Sequence, residues 1–144
     1  MKKVFIFLFL FVLPVVVIAS ESYSQRFIKS FSACEPVTET TNIRDGSGNL
    51  IPITKMVQGV VNHKCMYKQV IIRPSVRDIT TCEFTKPMLE EIAKSMKDDN
   101  GELYNVNLTI KGENIPMRGL TKSQVIWIQY LNEDRVCKRE IIPR

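Results

Sequence analysis

The sequence predicts a small disulfide-stapled domain of the α+β class, with a mainly antiparallel sheet packed by one or two helices. Three observations lead to this fold class. The chain has four cysteines, an even number typical of two disulfides. Short runs of β-branched and apolar residues alternate with turn-forming sequences, as in antiparallel sheets. Residues 86–97 carry apolar side chains at helical spacing.

The amino-terminal segment has the charge and hydropathy layout of a secretory signal peptide. Two lysines precede an apolar run at residues 4–19. A transmembrane helix needs roughly 20 apolar residues, and this run is shorter. We therefore expect a signal peptide over residues 1–19, with an uncleaved signal anchor as the alternative. The small side chains of Val17 and Ala19 predict cleavage before Ser20, and a cut after Ser22 is the alternative.

Residues 20–144 are expected to form one domain, because a chain of this length builds one hydrophobic core. Loss of the two leader lysines lowers the net charge from +5 to +3, a balance that ordinary solvated surface explains. No dense stripe of lysine and arginine with interleaved aromatic residues is present. We expect no nucleic-acid partner, and membrane contact only through the signal peptide before cleavage.

The four cysteines are spread along the chain, and two disulfides are their default state in an oxidising compartment. Metal sites more often contain a C-x-x-C pair, so this spacing predicts no metal. The sequence alone does not choose among the three possible pairings. We favour Cys34 with Cys65 and Cys82 with Cys137, each bridge contributing about 3 to 4 kcal/mol of stability.

The first half of the domain predicts a short helix and several strands. Asp-Gly-Ser-Gly-Asn at residues 45–49 is a strong turn sequence, with short strands predicted at Ile43 and at residues 50–53. Residues 56–61 and 65–72 predict a hairpin, and a further strand carries Cys82. A turn or two of helix before Cys34 is predicted by three apolar residues: Phe27, Ile28 and Phe31.

The clearest helix runs from Lys86 to Lys97, with Thr85 as its N-cap. Its apolar face is core-facing in our interpretation, and a partner-binding groove is the alternative. Residues 103–110 and Ile115 predict a second hairpin, and residues 136–142 a closing strand. The apolar face of the helix consists of Met88, Leu89, Ile92, Ala93 and Met96.

Residues 121–131 are compatible with either a helix or a strand. Thr121 and Gln124 form a capping-box sequence, which favours a helix. The Val-Ile-Trp-Ile run at residues 125–128 favours a strand by intrinsic preference. We predict a helix because the flanking hydrophobic-staple sequence agrees with the capping box.

One spacing of residues along the chain resembles that of a protein family. It comprises Cys34, Gly59, Asn62-His63-Lys64-Cys65, Tyr67, Cys82, Phe84, the helix at residues 88–96, Trp127, Tyr130-Leu131 and Cys137. In this respect the chain resembles a group of small exported four-cysteine proteins of gut-associated alphaproteobacteria. They share a leader and a Gly-x-x-Asn-Gly-Lys-Cys-x-Tyr-like hairpin, in which His63 replaces a glycine here. The group has no assigned activity, so the resemblance implies bacterial export and no particular chemistry.

The sequence favours a protein that is not an enzyme. His63 is the only histidine, and a general base needs positioned partners that the sequence does not indicate. The chain contains neither a G-x-S-x-G sequence nor a glycine-rich phosphate loop. The acidic pairs at residues 90–91 and 98–99 lie near helix ends, where the helix dipole and solvation explain them. We therefore expect no catalytic residues and no cofactor.

The sequence predicts a secreted or periplasmic binding or envelope-interaction module, which recognises a protein or cell-envelope ligand by surface complementarity. The alternative function is a small secreted hydrolase or a protease-inhibitor-like protein. A pocket that joins His63 to a carboxylate would support the hydrolase, and a rigid loop protruding between disulfides the inhibitor. Core packing and a solvated terminus are competing explanations for the candidate contact residues, which are Trp127, Tyr130, Lys138, Arg139 and Arg144.

Overall fold

The computed structural model describes residues 23–44 and 47–144. The predicted signal peptide, its cleavage site and the first two residues of the turn at 45–49 lie outside the described residues. The described elements are α1 (Gln25–Ala33), β1 (Val37–Arg44), β2 (Leu50–Val61), β3 (Lys64–Ile72), β4 (Val76–Phe84), α2 (Lys86–Lys97), β5 (Tyr104–Ile110), β6 (Glu113–Leu120), α3 (Lys122–Leu131) and β7 (Cys137–Pro143).

Five of the strands form one antiparallel sheet in the order β1-β2-β3-β4-β7, and β5 pairs with β6 in a second, two-stranded sheet. The predicted α+β class is therefore confirmed. With α1 counted, the described part of the chain has three helices rather than one or two. Within the described part of the chain, the two edge strands of the larger sheet, β1 and β7, have no further neighbour in it.

The first two strands are longer than the sequence predicted. The polar stretch before the turn forms the whole of β1, in which threonines recur, and it pairs with β2 along its full length. The short strands predicted on either side of residue 55 are one continuous strand, β2. Lys55, which interrupts the apolar pattern there, is 1 % exposed and its Nζ lies 4.2 Å from the ring centroid of Tyr23. The attraction between a cation and the face of an aromatic ring is favourable, and it helps to accommodate this buried lysine within β2.

Helices α1 and α3 contribute rings to an aromatic core on one face of the larger sheet, and α2 packs aliphatic side chains into the same core. Phe31 of α1 is at the centre of this core, and its ring centroid lies 5.6 Å from that of Trp127 on α3 and 6.1 Å from that of Tyr67 on β3. Phe31, Tyr67 and Phe84 are fully buried. Offset and edge-to-face contacts of this kind add stability beyond the apolar area that the rings bury.

Two disulfides join the layers. Cys34 at the carboxyl end of α1 is bonded to Cys65 on β3, with 5.7 Å between their Cα atoms. Cys82 on β4 is bonded to Cys137 on β7, its direct neighbour across the sheet. The favoured pairing is confirmed, and the described residues contain no free cysteine. These bridges are consistent with an extracellular or periplasmic protein. In residues 23–44 and 47–144, no helix has the length and apolar character that crossing a membrane requires.

Both helices predicted in the second half of the chain are confirmed. In α2, Leu89, Ile92, Ala93 and Met96 are buried, so its apolar face packs into the core. Thr85 is its N-cap residue, although the Thr85 side chain makes no capping hydrogen bond. The ambiguous segment is helix α3, in which Thr121 and Gln124 form the complete capping box. Local capping and the burial of Trp127 together outweigh the strand preference of residues 125–128.

The amino-terminal end of α3 is held by a carboxylate from the loop after α2. The Ser123 hydroxyl donates to Asp99 Oδ2 at 2.5 Å, and the Gly101 backbone N–H donates to Oδ1 at 3.1 Å. Burial raises the pKa of Asp99, but hydrogen bonds from the Ser123 and Thr121 side chains and from the Gly101 N–H outweigh it and lower the pKa below 3.8.

Replacement of Asp99 by asparagine is expected to destabilise the protein by about 1 kcal/mol at neutral pH, because hydrogen bonds to a charged acceptor are lost. A lowered pKa in the folded state stabilises the fold above the ordinary pKa of 3.8, and that contribution is lost as the pH falls through the folded value. Urea unfolding of both proteins between neutral pH and strongly acidic pH measures the difference. A difference that is the same at every pH contradicts this assignment.

Candidate functional site

The most distinctive exposed feature is the tip of the β2–β3 hairpin, residues 60–64, which we call the hairpin tip. Val60 is 64 % exposed and Val61 is 53 % exposed, and the three residues after them are exposed as well. Single exposed apolar residues are common on protein surfaces. Two adjacent exposed valines beside a turn are unusual, because polar residues normally occupy such positions. The tip is therefore a candidate contact element.

The turn at the tip has a fixed conformation. The two strands pair up to Val61 and Lys64, so the loop between them is the two residues Asn62 and His63. Their φ angles are +51° and +63°, so both lie in the left-handed region, as in a type I′ hairpin turn. Asparagine and histidine are both enriched among non-glycine residues of that region, which explains how the turn accommodates a histidine at position 63.

The base of the tip is held in place from two sides. Gly59 has a φ angle of +103° at an irregularity in the β2–β3 register, a backbone conformation that residues with side chains rarely adopt. Cys65, the residue after the tip, is bonded to Cys34. A turn that follows a bulge and precedes a disulfide has little freedom left to lose on binding, and such pre-organisation favours affinity.

The two valines lie on opposite faces of the hairpin. Val60 is opposite Cys65, whose side chain is on the helix-covered face of the sheet, and Val61 is opposite Lys64 on the other face. A flat partner surface would bury only one of these side chains. The geometry therefore fits a cleft whose two walls contact both faces of the tip.

The predicted aromatic contacts belong mainly to the interior. Trp127 is 4 % exposed and lies among the rings of the core, so core packing explains it. Tyr130 packs partly against the core, and its hydroxyl donates to a carboxylate oxygen of Glu91. Burial, this hydrogen bond and the charges of Glu91 and Glu133 raise the pKa of Tyr130 to about 12. Trp127 is therefore not an exposed contact residue.

The predicted basic contacts lie on β7 and after it, separate from the aromatic residues. Lys138 is exposed. Arg139 is bidentate to Asp78, whose side chain is 4 % exposed, and its Nε donates to Oδ1 at 2.8 Å. That hydrogen bond raises the pKa of Arg139. The Arg144 guanidinium donates to the carbonyl oxygen of Arg73 at 3.3 Å. This hydrogen bond joins the residue after β7 to the residue after β3.

Sequence reasoning did not identify the polar row that crosses the larger sheet. Lys55, Gln69, Thr80 and Arg139 are successive neighbours on four adjacent strands. Lys55 and Thr80 are buried, while Arg139 is exposed at the open edge. The period-two pattern of each strand shows which residues share a face, but the row depends on the register between strands, which the sequence does not specify.

Two of the clefts beside α3 have aromatic residues in their lining. One, of about 350 Å³, lies between α3 and β5 and is lined by Tyr104, Val106, Lys122, Val125 and Ile126. The other, of about 200 Å³, has Tyr23, Gln69 and Trp127 among its lining residues. The Trp127 indole nitrogen is buried and has no hydrogen-bond partner among the described residues. Neither cleft contains His63, which lies at the hairpin tip.

Neither of the two clefts described above brings His63 close to a carboxylate. In residues 23–44 and 47–144, no group of three or more histidine, cysteine, aspartate or glutamate side chains is placed to hold a metal ion. The four cysteines are in disulfides and so do not act as nucleophiles. The hairpin tip was predicted as a turn, and the signal that makes it a candidate contact element is the Val-Val pair directly before Asn62.

No model of a protein family, no curated protein and no solved structure matches this chain.

Proposed function

We propose that the protein is a non-enzymatic, exported binding module that inserts its hairpin tip into a cleft of a protein partner at the cell envelope. One observation carries this proposal: Val60 and Val61 are exposed on opposite faces of a turn that is fixed by its backbone and by the Cys34–Cys65 bridge. Burial of these valines supplies affinity, and the pre-formed turn reduces the entropy lost on binding.

Replacement of both Val60 and Val61 by serine is expected to weaken partner binding about tenfold or more, since apolar burial at the tip is lost. The folded state should keep its thermal midpoint, because both side chains are already exposed. A photo-crosslinking residue at position 61 identifies the partner in an envelope fraction, and titration of the purified partner by calorimetry measures the effect. Replacement of Leu103 by serine is the matched control, since Leu103 is 61 % exposed.

Equal affinity of the tip variant and the unchanged protein would contradict the proposal. So would a crosslinker at position 103 that captures the same partner as one at position 61. In either result the contact lies elsewhere on the molecule.

The second candidate function is inhibition of a protease, and the same rigid loop favours it. A hairpin tip beside a disulfide can occupy an active-site cleft without adopting the flexible conformation that cleavage requires. Residual activity of proteases with small apolar specificity pockets, measured with the unchanged protein and with the serine variant, tests this candidate. Rapid cleavage at the tip argues for a substrate and against an inhibitor.

A further inference from the structure

Strand β7 presents an open edge of the larger sheet to solvent. It is the last strand in the sheet order, and all its residues after Cys137 are exposed. Ile141 is 56 % exposed and Ile142 is 37 % exposed. Open edges with unpaired backbone groups pair readily with another strand, and proteins usually protect them.

The direction of each backbone group of β7 follows from its pairing with β4. The Glu83 N–H donates to the Val136 carbonyl oxygen, and Cys82 lies opposite Cys137 with 4.1 Å between their Cα atoms, the spacing of a pair without mutual backbone hydrogen bonds. Backbone groups alternate in direction along a strand. Those of Arg139 and Ile141 therefore point away from β4, toward the open edge.

Two other residues of the strand set the limits of this edge. Pro143 lies four residues after Arg139, so its backbone nitrogen points toward the open side as that of Arg139 does. Because proline has no N–H, this side lacks one donor, and the pairing with β4 is unaffected. The Cys137 N–H already donates to the Glu133 carbonyl oxygen at 2.9 Å. The groups available for a new strand are thus those of Arg139 and Ile141, together with the Cys137 carbonyl oxygen.

We propose that a second copy of this chain pairs antiparallel with β7 about a twofold axis at Arg139, which joins the two five-stranded sheets into one. In this register Arg139 faces Arg139 and the two residues exchange backbone hydrogen bonds. The Ile141 N–H of each copy donates to the Cys137 carbonyl oxygen of the other. Pro143 lies outside the paired segment, so its missing donor does not disturb the interface.

Charge complementarity selects this register over its neighbour. With the axis at Arg139, Lys138 of each copy lies opposite Glu140 of the other, which gives two equivalent opposite-charge pairs on one face of the sheet. With the axis at Glu140, the two glutamates would lie opposite each other. The two Arg139 guanidinium groups are each bonded to their own Asp78, which offsets their mutual repulsion.

Sedimentation velocity of the purified, oxidised protein over a range from about 1 µM to about 1 mM tests the proposal. We expect a reversible dimer. Lys138→Glu or Glu140→Lys alone should raise the dimer dissociation constant about tenfold or more, because like charges then face each other. The double variant Lys138→Glu/Glu140→Lys should restore the affinity of the unchanged protein. Both positions are exposed, and circular dichroism confirms that each variant is folded.

A protein that remains monomeric over the whole range overturns the proposal. So does a dimer that the single variants leave unchanged, or one that the double variant fails to restore, since each result places the contact elsewhere. The Val60→Ser/Val61→Ser variant should dimerise normally. Failure of dimerisation is therefore distinguishable from failure of the hairpin tip to bind a partner.

Discussion

Replacement of Cys82 and Cys137 by alanine is expected to lower the free energy of unfolding by about 4 kcal/mol, the entropic value for a loop of this length. The two cysteines are 55 residues apart in sequence. The loss of local stability should be larger in β7 than in the other strands, because Cys137 is the one buried residue in β7. Without the bridge, this strand is held to β4 by backbone hydrogen bonds and by the ion pair between Arg139 and Asp78.

Urea unfolding monitored by circular dichroism measures the loss, and amide hydrogen exchange shows whether β7 opens before the rest of the sheet. Replacement of Cys34 and Cys65 by alanine is the matched comparison, since that bridge ties a helix with three buried residues to β3. An unfolding free energy that is unchanged in the Cys82 and Cys137 variant would refute the structural role of this bridge.

Phe31→Ala is expected to destabilise the protein by about 4 kcal/mol, the usual cost of removing a buried phenylalanine ring. Phe31 is fully buried, and its ring contacts those of Phe27, Tyr67, Phe84 and Trp127. The cavity would lie at the contact between α1, α3 and the sheet, so no single element can close over it. Because Trp127 is the only tryptophan of the chain, its fluorescence reports directly on this region.

Chemical unfolding followed by tryptophan fluorescence is the appropriate measurement for this variant. Lys29→Ala on the exposed side of α1 serves as its control and should change stability by about 0.5 kcal/mol or less. If Phe31→Ala were no more destabilising than Lys29→Ala, the aromatic core would not be the main source of stability.

Local signals in the sequence were sufficient for most elements of the fold. The capping box at Thr121 predicted α3 correctly against the strand preference of its middle residues, because cap hydrogen bonds act within one turn. The hairpin around Asn62 and His63 was predicted from its turn residues and is confirmed. By contrast, β1 is polar and its stability depends on pairing with β2, so its own residues predicted only a short strand.

The sequence did not predict which strands that are far apart in the chain lie next to each other. Nothing in residues 104–120 distinguishes a hairpin that joins the main sheet from one that forms a sheet of its own, as β5 and β6 do. The ion pair between Arg139 and the buried Asp78 likewise depends on two strands that are far apart in the chain. For the candidate site, the turn was predictable, but the exposure of Val60 and Val61 depends on the tertiary packing around the hairpin, which the sequence does not specify.

The order of the cysteines along the chain has a consequence for biogenesis. Each bridge joins cysteines that are consecutive in the sequence, so the two loops neither overlap nor enclose one another. A polypeptide that is oxidised as it emerges from its amino-terminal end would therefore join the first cysteine to the second and the third to the fourth. Native crosslinks form in this way without a later exchange of partners, so maturation would not depend on a disulfide isomerase.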